Sequence, residues 1–197
     1  MSASPESAAA PAKTADRLLD VAADLFRRKG YAQTTTRELA EELGIKKATL
    51  YHHISNKEDL LEALCHEALR RLTAEVESIE AADPDRLRAI FVRHLTSAVR
   101  DQNLHAATLS AIDSLGPERR ERVATSRKAY ERMLREVVRA DQKAGRLRGD
   151  VSAENLTHAM INLLNWTIYW YRPDGGSSAE ELAEQFADVF LQGATPR

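Results

Sequence analysis

The chain has 197 residues, 43% of them hydrophobic and 29% charged, with a net charge of −2. That balance excludes a wholly disordered polymer, and no apolar run approaches the roughly 18–20 residues of a membrane-spanning helix. The charge is unevenly laid out: between Arg27 and Lys57, Arg27, Arg28, Lys29, Arg37, Lys46, Lys47 and Lys57 stand against only Glu38, Glu41 and Glu42. The remainder holds 21 basic and 27 acidic residues. A basic island on an acidic body points to a polyanionic partner met at one end of the molecule.

Residues 1–12 are rich in Ala, Ser and Pro without an apolar stretch, and read as a disordered tail, not a signal peptide. From about Thr14 to Lys29, Leu18, Val21, Ala22, Leu25 and Phe26 recur at helical spacing until Gly30 ends the pattern. Thr35, with Glu38 three positions on, has the form of a capping box. It opens a short helix that offers Leu39, Ala40 and Leu43 to a core and stops at Gly44. A second short helix is predicted from about Lys46 to Ile54. After Ser55-Asn56 a long one is predicted from Lys57 toward Glu80, about 24 residues and roughly 36 Å.

Pro84 introduces a helix reaching about Arg100, with Leu87, Ile90, Phe91, Leu95 and Val99 as its buried stripe. Shorter and longer helices are predicted over about 103–114 and 118–144. The last two cover about 152–171 and 178–191, separated by Pro173-Asp174-Gly175-Gly176. No strand pattern and no internal repeat emerges. The expected fold is all-α, about nine helices, with a small domain over residues 13–58 and a larger one over 59–197.

The stretch from Gly30 to Ile54 has the build of a helix-turn-helix. Two short helices flank Gly44, whose lack of Cβ suits the tight turn, and Ala40, Ile45 and Leu50 would pack them together. The second helix of such a unit enters the major groove of DNA. Lys46 and Lys47 at its start suit a phosphate or a guanine edge, Ala48 is small enough for close approach, and Thr49, Tyr51 and His52 avoid the Leu50 side. Thr35, Thr36 and Arg37 at the opening of the preceding helix are candidate contacts, as is Lys57 at the start of the next.

The motif residues extend over about Asp16 to Leu64: a Leu-x-x-Ala-x-x-Leu-Phe helix, Gly30-Tyr31, Thr34-Thr35, Leu39-Ala40, Leu43-Gly44-Ile45, Thr49-Leu50-Tyr51-His52-His53-Ile54 and Asn56-Lys57-Glu58-Asp59-Leu60-Leu61. In these residues the chain closely resembles the TetR family of bacterial one-component regulators. One position departs from the family's commonest pattern: Lys46 stands where a serine often caps the recognition helix. The resemblance implies a homodimer on a palindromic operator, with a C-terminal domain that binds a small effector.

It further implies that the last two helices pair with their twins. For this chain that assigns Leu156, Met160, Leu163, Thr167, Leu182, Phe186, Val189 and Phe190 to the dimer interface. The run from Leu163 to Pro173 and the Gly175-Gly176 turn resemble a subgroup that answers to acyl-CoA thioesters of fatty-acid or sterol-ring catabolism. On that reading His94, His105, Asn162, Trp166 and Trp170 are candidate pocket residues, although Trp166, Tyr169 and Trp170 equally suit an interface. Arg146 and Arg148 are candidates for CoA phosphates.

Six histidines (His52, His53, His66, His94, His105, His158) form no paired metal-ligand motif, and neither a nucleophile elbow nor a Gly-rich phosphate loop is present. No enzyme, cofactor, catalytic residue or metal is expected. Cys65 is the lone cysteine, which fits a reducing cytoplasm and a protein with no membrane partner. The alternatives are a helical adaptor whose helix-turn-helix no longer binds DNA, and a regulator that activates instead of repressing.

Overall fold

The structure, a computed structural model, describes residues 9–195, with side chains from Arg17 onward. Among these residues it is all-α: α1 (Ala9–Lys29), α2 (Thr36–Leu43), α3 (Lys47–Leu50), α4 (Lys57–Glu77), α5 (Arg86–Arg100), α6 (Gln102–Ala111), α7 (Pro117–Lys143), α8 (Ala153–Trp170) and α9 (Ala179–Ala194). A single 3-10 turn, Ile112–Ser114, follows α6. Among the described residues no helix is long and apolar enough to cross a membrane.

The expected tail over residues 1–12 lies outside the described residues as far as position 8, but 9–12 are already helical. Alanine is the best helix former, which suits this Ala-rich stretch to a helix. The chain divides into two compact units, one holding residues up to Ala68 together with Asn103–Val123, the other Leu69–Gln102 together with the residues from Ala124 onward. The expected boundary at 58/59 falls within the first of these units. Leu60, Leu61 and Leu64 of α4 join Leu18, Ala22, Leu25, Phe26, Leu39 and Leu43 in one core, and Leu104, Ala107, Ala111, Leu115 and Val123 complete it.

Within that first unit the ends of α2 are closed on both sides. Thr35 Oγ1 accepts from the Glu38 backbone N–H at 3.2 Å while the Glu38 carboxylate accepts from the Thr35 N–H at 2.8 Å. Lys29 donates to the same carboxylate at 2.5 Å, and these bonds pull its pKa down to about 2. The capping box predicted from Thr35 and Glu38 is therefore present. It weakens only as pH falls from the ordinary carboxylate range toward that lowered value. At the other end Gly44 adopts φ 69°, with Gly44 N–H on Glu41 O (3.1 Å) and Ile45 N–H on Ala40 O (3.0 Å). This is the Schellman arrangement, and it turns the chain sharply into α3.

The second unit is a helical layer around α5. Ile90, Phe91 and Leu95 pack with Leu134 and Val138 of α7 and Met160 and Leu164 of α8, all almost fully buried. Ala183 and Ala187 of α9 are wholly buried, so small residues let that helix lie close against its neighbours. Phe91 meets Phe190 at 4.9 Å between ring centroids, and Arg88 ties α5 to Glu184 and Asp188 of α9 at 2.8 and 2.6 Å.

A Cβ at Gly44 would meet nothing within 4 Å, so a substitution there costs only backbone energy. Gly44→Ala should lower stability by about 1–2 kcal/mol, and Gly44→Asn by less, since Asn tolerates the left-handed region. Urea denaturation of the three proteins checks this, and equal stability of the Ala variant would contradict it.

Candidate DNA-binding interface

The α3 region is oriented by two apolar side chains. Leu50 is fully buried and Ile54 nearly so, both inside the first unit's core. Turning these inward leaves Lys46, Lys47, Ala48, Thr49, Tyr51 and His52 exposed on the other sides. Regular α-helix covers only Lys47–Leu50, shorter than the predicted 46–54. Bonds from His52 N–H to Thr49 O (3.1 Å), His53 N–H to Leu50 O (2.9 Å) and Ile54 N–H to Leu50 O (3.1 Å) continue the coil as turns. The histidines are weak helix formers, and the chain must bend into α4 directly afterwards. Lys46 holds the N-cap position in extended geometry without a side-chain cap bond, the consequence of its standing where a serine is common.

Several side chains meet on one outer surface. The Lys47 ammonium lies 5.8 Å from the Tyr51 ring centroid, and the Tyr51 hydroxyl lies 3.4 Å from Thr36 Oγ1, joining the start of α2 to α3. Arg37 is strongly exposed and donates to Glu41 at 2.7 Å, a bond that raises its pKa and leaves it cationic. Thr35 departs from the expected phosphate role. Its hydroxyl is occupied at both lone pair and proton by Glu38.

Lys57 departs further. Its ammonium donates to the carbonyls of Tyr31 (2.6 Å), Ala32 (3.3 Å) and Thr34 (2.9 Å) and sits 4.3 Å from the Tyr31 ring centroid. An ammonium has three protons, so none is left for a phosphate. Burial lowers its pKa. Lys57 is a brace that holds the α1–α2 loop onto α4, and its partners lie 23–26 positions upstream, where no local pattern signals them.

Ser55 and Asn56 are the cap candidates the sequence offers before α4, and it is Asn56 that closes the turn between α3 and α4, in a reciprocal pair with Asp59. Asp59 Oδ2 accepts from Ser55 N–H (2.8 Å) and Asn56 N–H (3.0 Å), and Asn56 Oδ1 accepts from Asp59 N–H (2.9 Å). The Asn-x-x-Asp spacing was the available signal, a variant of the capping box.

The C-terminal candidates need more correction. Leu156, Met160, Thr167 and Leu182 are buried in the chain's own core, Leu163, Phe186 and Phe190 are partly so, and only Val189 stands clear at 70% exposure. Trp166 is 66% exposed and Trp170 45%, with Asn162 also exposed, so these three stand at the surface of the single chain. Helix α8 has a wide apolar arc beside a polar strip of Glu154, Asn155, His158, Asn162 and Asn165, and its pattern alone does not say which part of that arc the core takes. His94 and His105 are buried, in the second and first unit respectively. The Tyr130 hydroxyl and His94 Nδ1 lie 2.7 Å apart, within hydrogen-bond distance, and burial pushes the tyrosine pKa up, so the hydroxyl is neutral.

Arg148 pairs with Asp150 (2.6 Å) and Arg146 with Asp141, so both proposed CoA-phosphate arginines have carboxylate partners. Arg146 also lines a cleft of about 340 Å³ with Arg86, Met133, Val137 and Ala140. Donor atoms of Glu131, Glu154 and His158 lie within 4.8 Å of one another, a set able to hold a metal ion. The set is already cross-linked, with Glu131 3.1 Å from both His158 and Arg135.

Comparison with known proteins agrees with the geometry. Residues 18–64 match the family described as "Bacterial regulatory proteins, tetR family", and residues 80–194 match "Tetracyclin repressor-like, C-terminal domain". The repressor KstR2 of Mycolicibacterium smegmatis is 28% identical over 97% of this chain and 95% of its own length. The TetR-family regulator PfmR of Thermus thermophilus superimposes with a TM-score of 0.84 at 37% identity, covering 90% of this chain and 98% of that one. AibR, solved with isovaleryl coenzyme A and operator DNA, gives 0.77 at 26% identity over 89% and 97% of the two chains. The chain belongs to the TetR family of transcriptional regulators, DNA-binding proteins and not enzymes.

Proposed function

We propose that this regulator acts as a homodimer on a palindromic operator and releases it on binding a hydrophobic or acyl-CoA effector. The observation that carries the DNA half is the exposed face of α3, where Lys47 and Tyr51 project while Leu50 and Ile54 anchor the helix. A dimer would set two such heads about 34–36 Å apart, one turn of B-DNA. Lys46, Lys47, Ala48, Thr49, Tyr51 and His52, with Thr36 and Arg37 beside them, form the groove-facing set. Thr35 and Lys57 contribute by holding it in place. On this reading the N-terminal helices are the DNA-binding domain, and the residues after them serve dimerisation and effector binding.

The dimer half rests on exposed aromatic surface. Trp166, Tyr169 and Trp170 of α8 and Val189 of α9 are large apolar side chains left in solvent, with the Trp166 and Tyr169 rings 5.1 Å apart and tilted by 50°, and Trp170 beside Phe186 at 6.1 Å. Aromatic groups at the centre of an apolar patch are the usual anchors of an interface. The acyl-CoA half is supported by the relatives: KstR2 is named a repressor, and AibR was crystallised with isovaleryl coenzyme A. The buried Tyr130–His94 pair supplies a polar fixture beside the apolar core of the second unit, as effector sites require. The lone cysteine, Cys65, fits work in a reducing cytoplasm.

Lys47→Ala should weaken operator binding and flatten its salt dependence by about one unit of log–log slope, because one phosphate contact is lost. Gel-shift titration over a salt series measures both, and an unchanged affinity would remove α3 from the groove. Trp166→Ala should raise the dimer dissociation constant by about 30-fold or more. Analytical ultracentrifugation tests that, and an undiminished dimer places the interface elsewhere. Acyl-CoAs, from isovaleryl to long-chain and ring-bearing, should raise the melting temperature and release the operator where free CoA does not. If none of them does either, the effector class is wrong.

A further inference from the structure

The start of α4 gathers three carboxylates, two of them where the helix dipole favours anions, and the first turn of α7 carries arginines where the dipole disfavours cations. On α4, Glu58, Asp59 and Glu62 lie three and four positions apart, where like charges repel. On α7, which starts at Pro117, Arg119 and Arg120 stand at the positive end of the helix dipole. The structure resolves both conflicts by bringing the two helix starts together within the first unit.

Arg119 is the centre of this meeting. Its Nη2 donates to Asp59 Oδ1, its Nη1 to Glu62 Oε2 at 2.6 Å, and its Nε lies 3.6 Å from Glu58 Oε2. The Gly116 N–H, one residue before α7, donates to Glu58 Oε1 at 2.5 Å, and Arg122 reaches both oxygens of Glu62 at 2.6 and 3.0 Å. These are not loose surface pairs: Glu62 keeps only 13% of its side chain in solvent and Arg119 24%. Burial alone would raise the Asp59 pKa, but the Asn56 N–H and Arg119 outweigh it and hold the carboxyl below its usual range. Arg122, with Arg119 behind it, does the same for Glu62. Both are ionised at neutral pH.

The two oxygens of Asp59 face different ways. Oδ1 takes Arg119, while Oδ2 holds the N–H groups of Ser55 and Asn56, the turn on which α3 ends. We propose that Arg119 is a positioning residue for the DNA-reading helix, setting through Asp59 the turn that orients α3. The assignment rests on the reading of α3 as the operator-binding element. The donor nitrogens of Arg119 face carboxylates of α4. Residues 117–123 of α7 belong to the first unit and the rest of the same continuous helix to the second.

The test compares the full-length wild type with Arg119→Met, Arg119→Lys and Asp59→Asn. Operator affinity in Arg119→Met should fall about 3- to 30-fold, the range for residues that act through a network. Its salt slope should stay at the wild-type value, because no phosphate contact is lost. Lys keeps the charge but not the fork that spans Asp59 and Glu62, so Arg119→Lys should fall between, and it carries the same measurement if the Met variant does not fold. Asp59→Asn should weaken binding too, and adding Arg119→Met to it should cost less than in the wild type.

Hydrogen exchange supplies the readout that a general loss of stability would not give: the Ser55 and Asn56 amides should speed up in Arg119→Met while those of Leu61 and Leu64 do not. Operator binding within twofold of wild type overturns the inference. So does a slope reduced by about one, which would make Arg119 a phosphate ligand, or an exchange increase shared equally by Leu61 and Leu64. If the wild type binds no DNA at all, it is the operator reading that fails, and the exchange pattern still decides the Arg119–Asp59 link.

Discussion

Four residues of α-helix cannot hold their own shape in water, because a single turn fixes many dihedral angles for few hydrogen bonds. Everything functional in this protein depends on that fact. Helix α3 exists only because Leu50 and Ile54 are drawn into a core built by α1, α2 and α4, and because both of its ends are tied. The Gly44 turn fixes its entry and the Asp59 carboxylate its exit. Burial of one Leu and one Ile is worth about 3–6 kcal/mol together, more than a single turn contributes by itself. The exposed Lys47 and Tyr51 are thus presented by a scaffold whose rigidity comes from elsewhere.

The start of α4 is the point where these ties converge. Lys57 holds the loop after α1, Asp59 holds the turn after α3, and Arg119 arrives from α7. Isolated surface ion pairs contribute little to stability. Their value here is geometric, since each polar side chain in the cluster has its partner in a defined direction. A cluster of three carboxylates and two guanidiniums would repel itself if any one cation were withdrawn. That makes the junction sensitive to movement of the helix that supplies the cations.

Helix α8 illustrates a different constraint. Its apolar residues span an arc too wide for one neighbouring helix to cover, opposite a strip of Glu154, Asn155, His158, Asn162 and Asn165. The chain covers the face bearing Leu156, Met160, Leu164 and Ile168 with its own helices and leaves Trp166, Tyr169 and Trp170 outward. The division matters for function. Residues that looked equally suited to an interface became core, and residues that looked suited to a pocket became surface.

The sequence by itself determined the helical class, the helix order, the capping box of Thr35 and Glu38, the Gly44 turn and the family, because each is written in local spacing or in a motif. Helix-period patterns and caps depend on neighbours within a few positions, which a linear reading sees. Only the tertiary structure decided that Lys57 is a brace, that α6 and the start of α7 share a core with α1–α4, and which face of α8 is buried. These depend on groups dozens of positions apart meeting in space, Lys57 with Tyr31 and Arg119 with Asp59 among them. Charge and hydrophobicity say that a residue must find a partner, but the packing of the helices chooses which one.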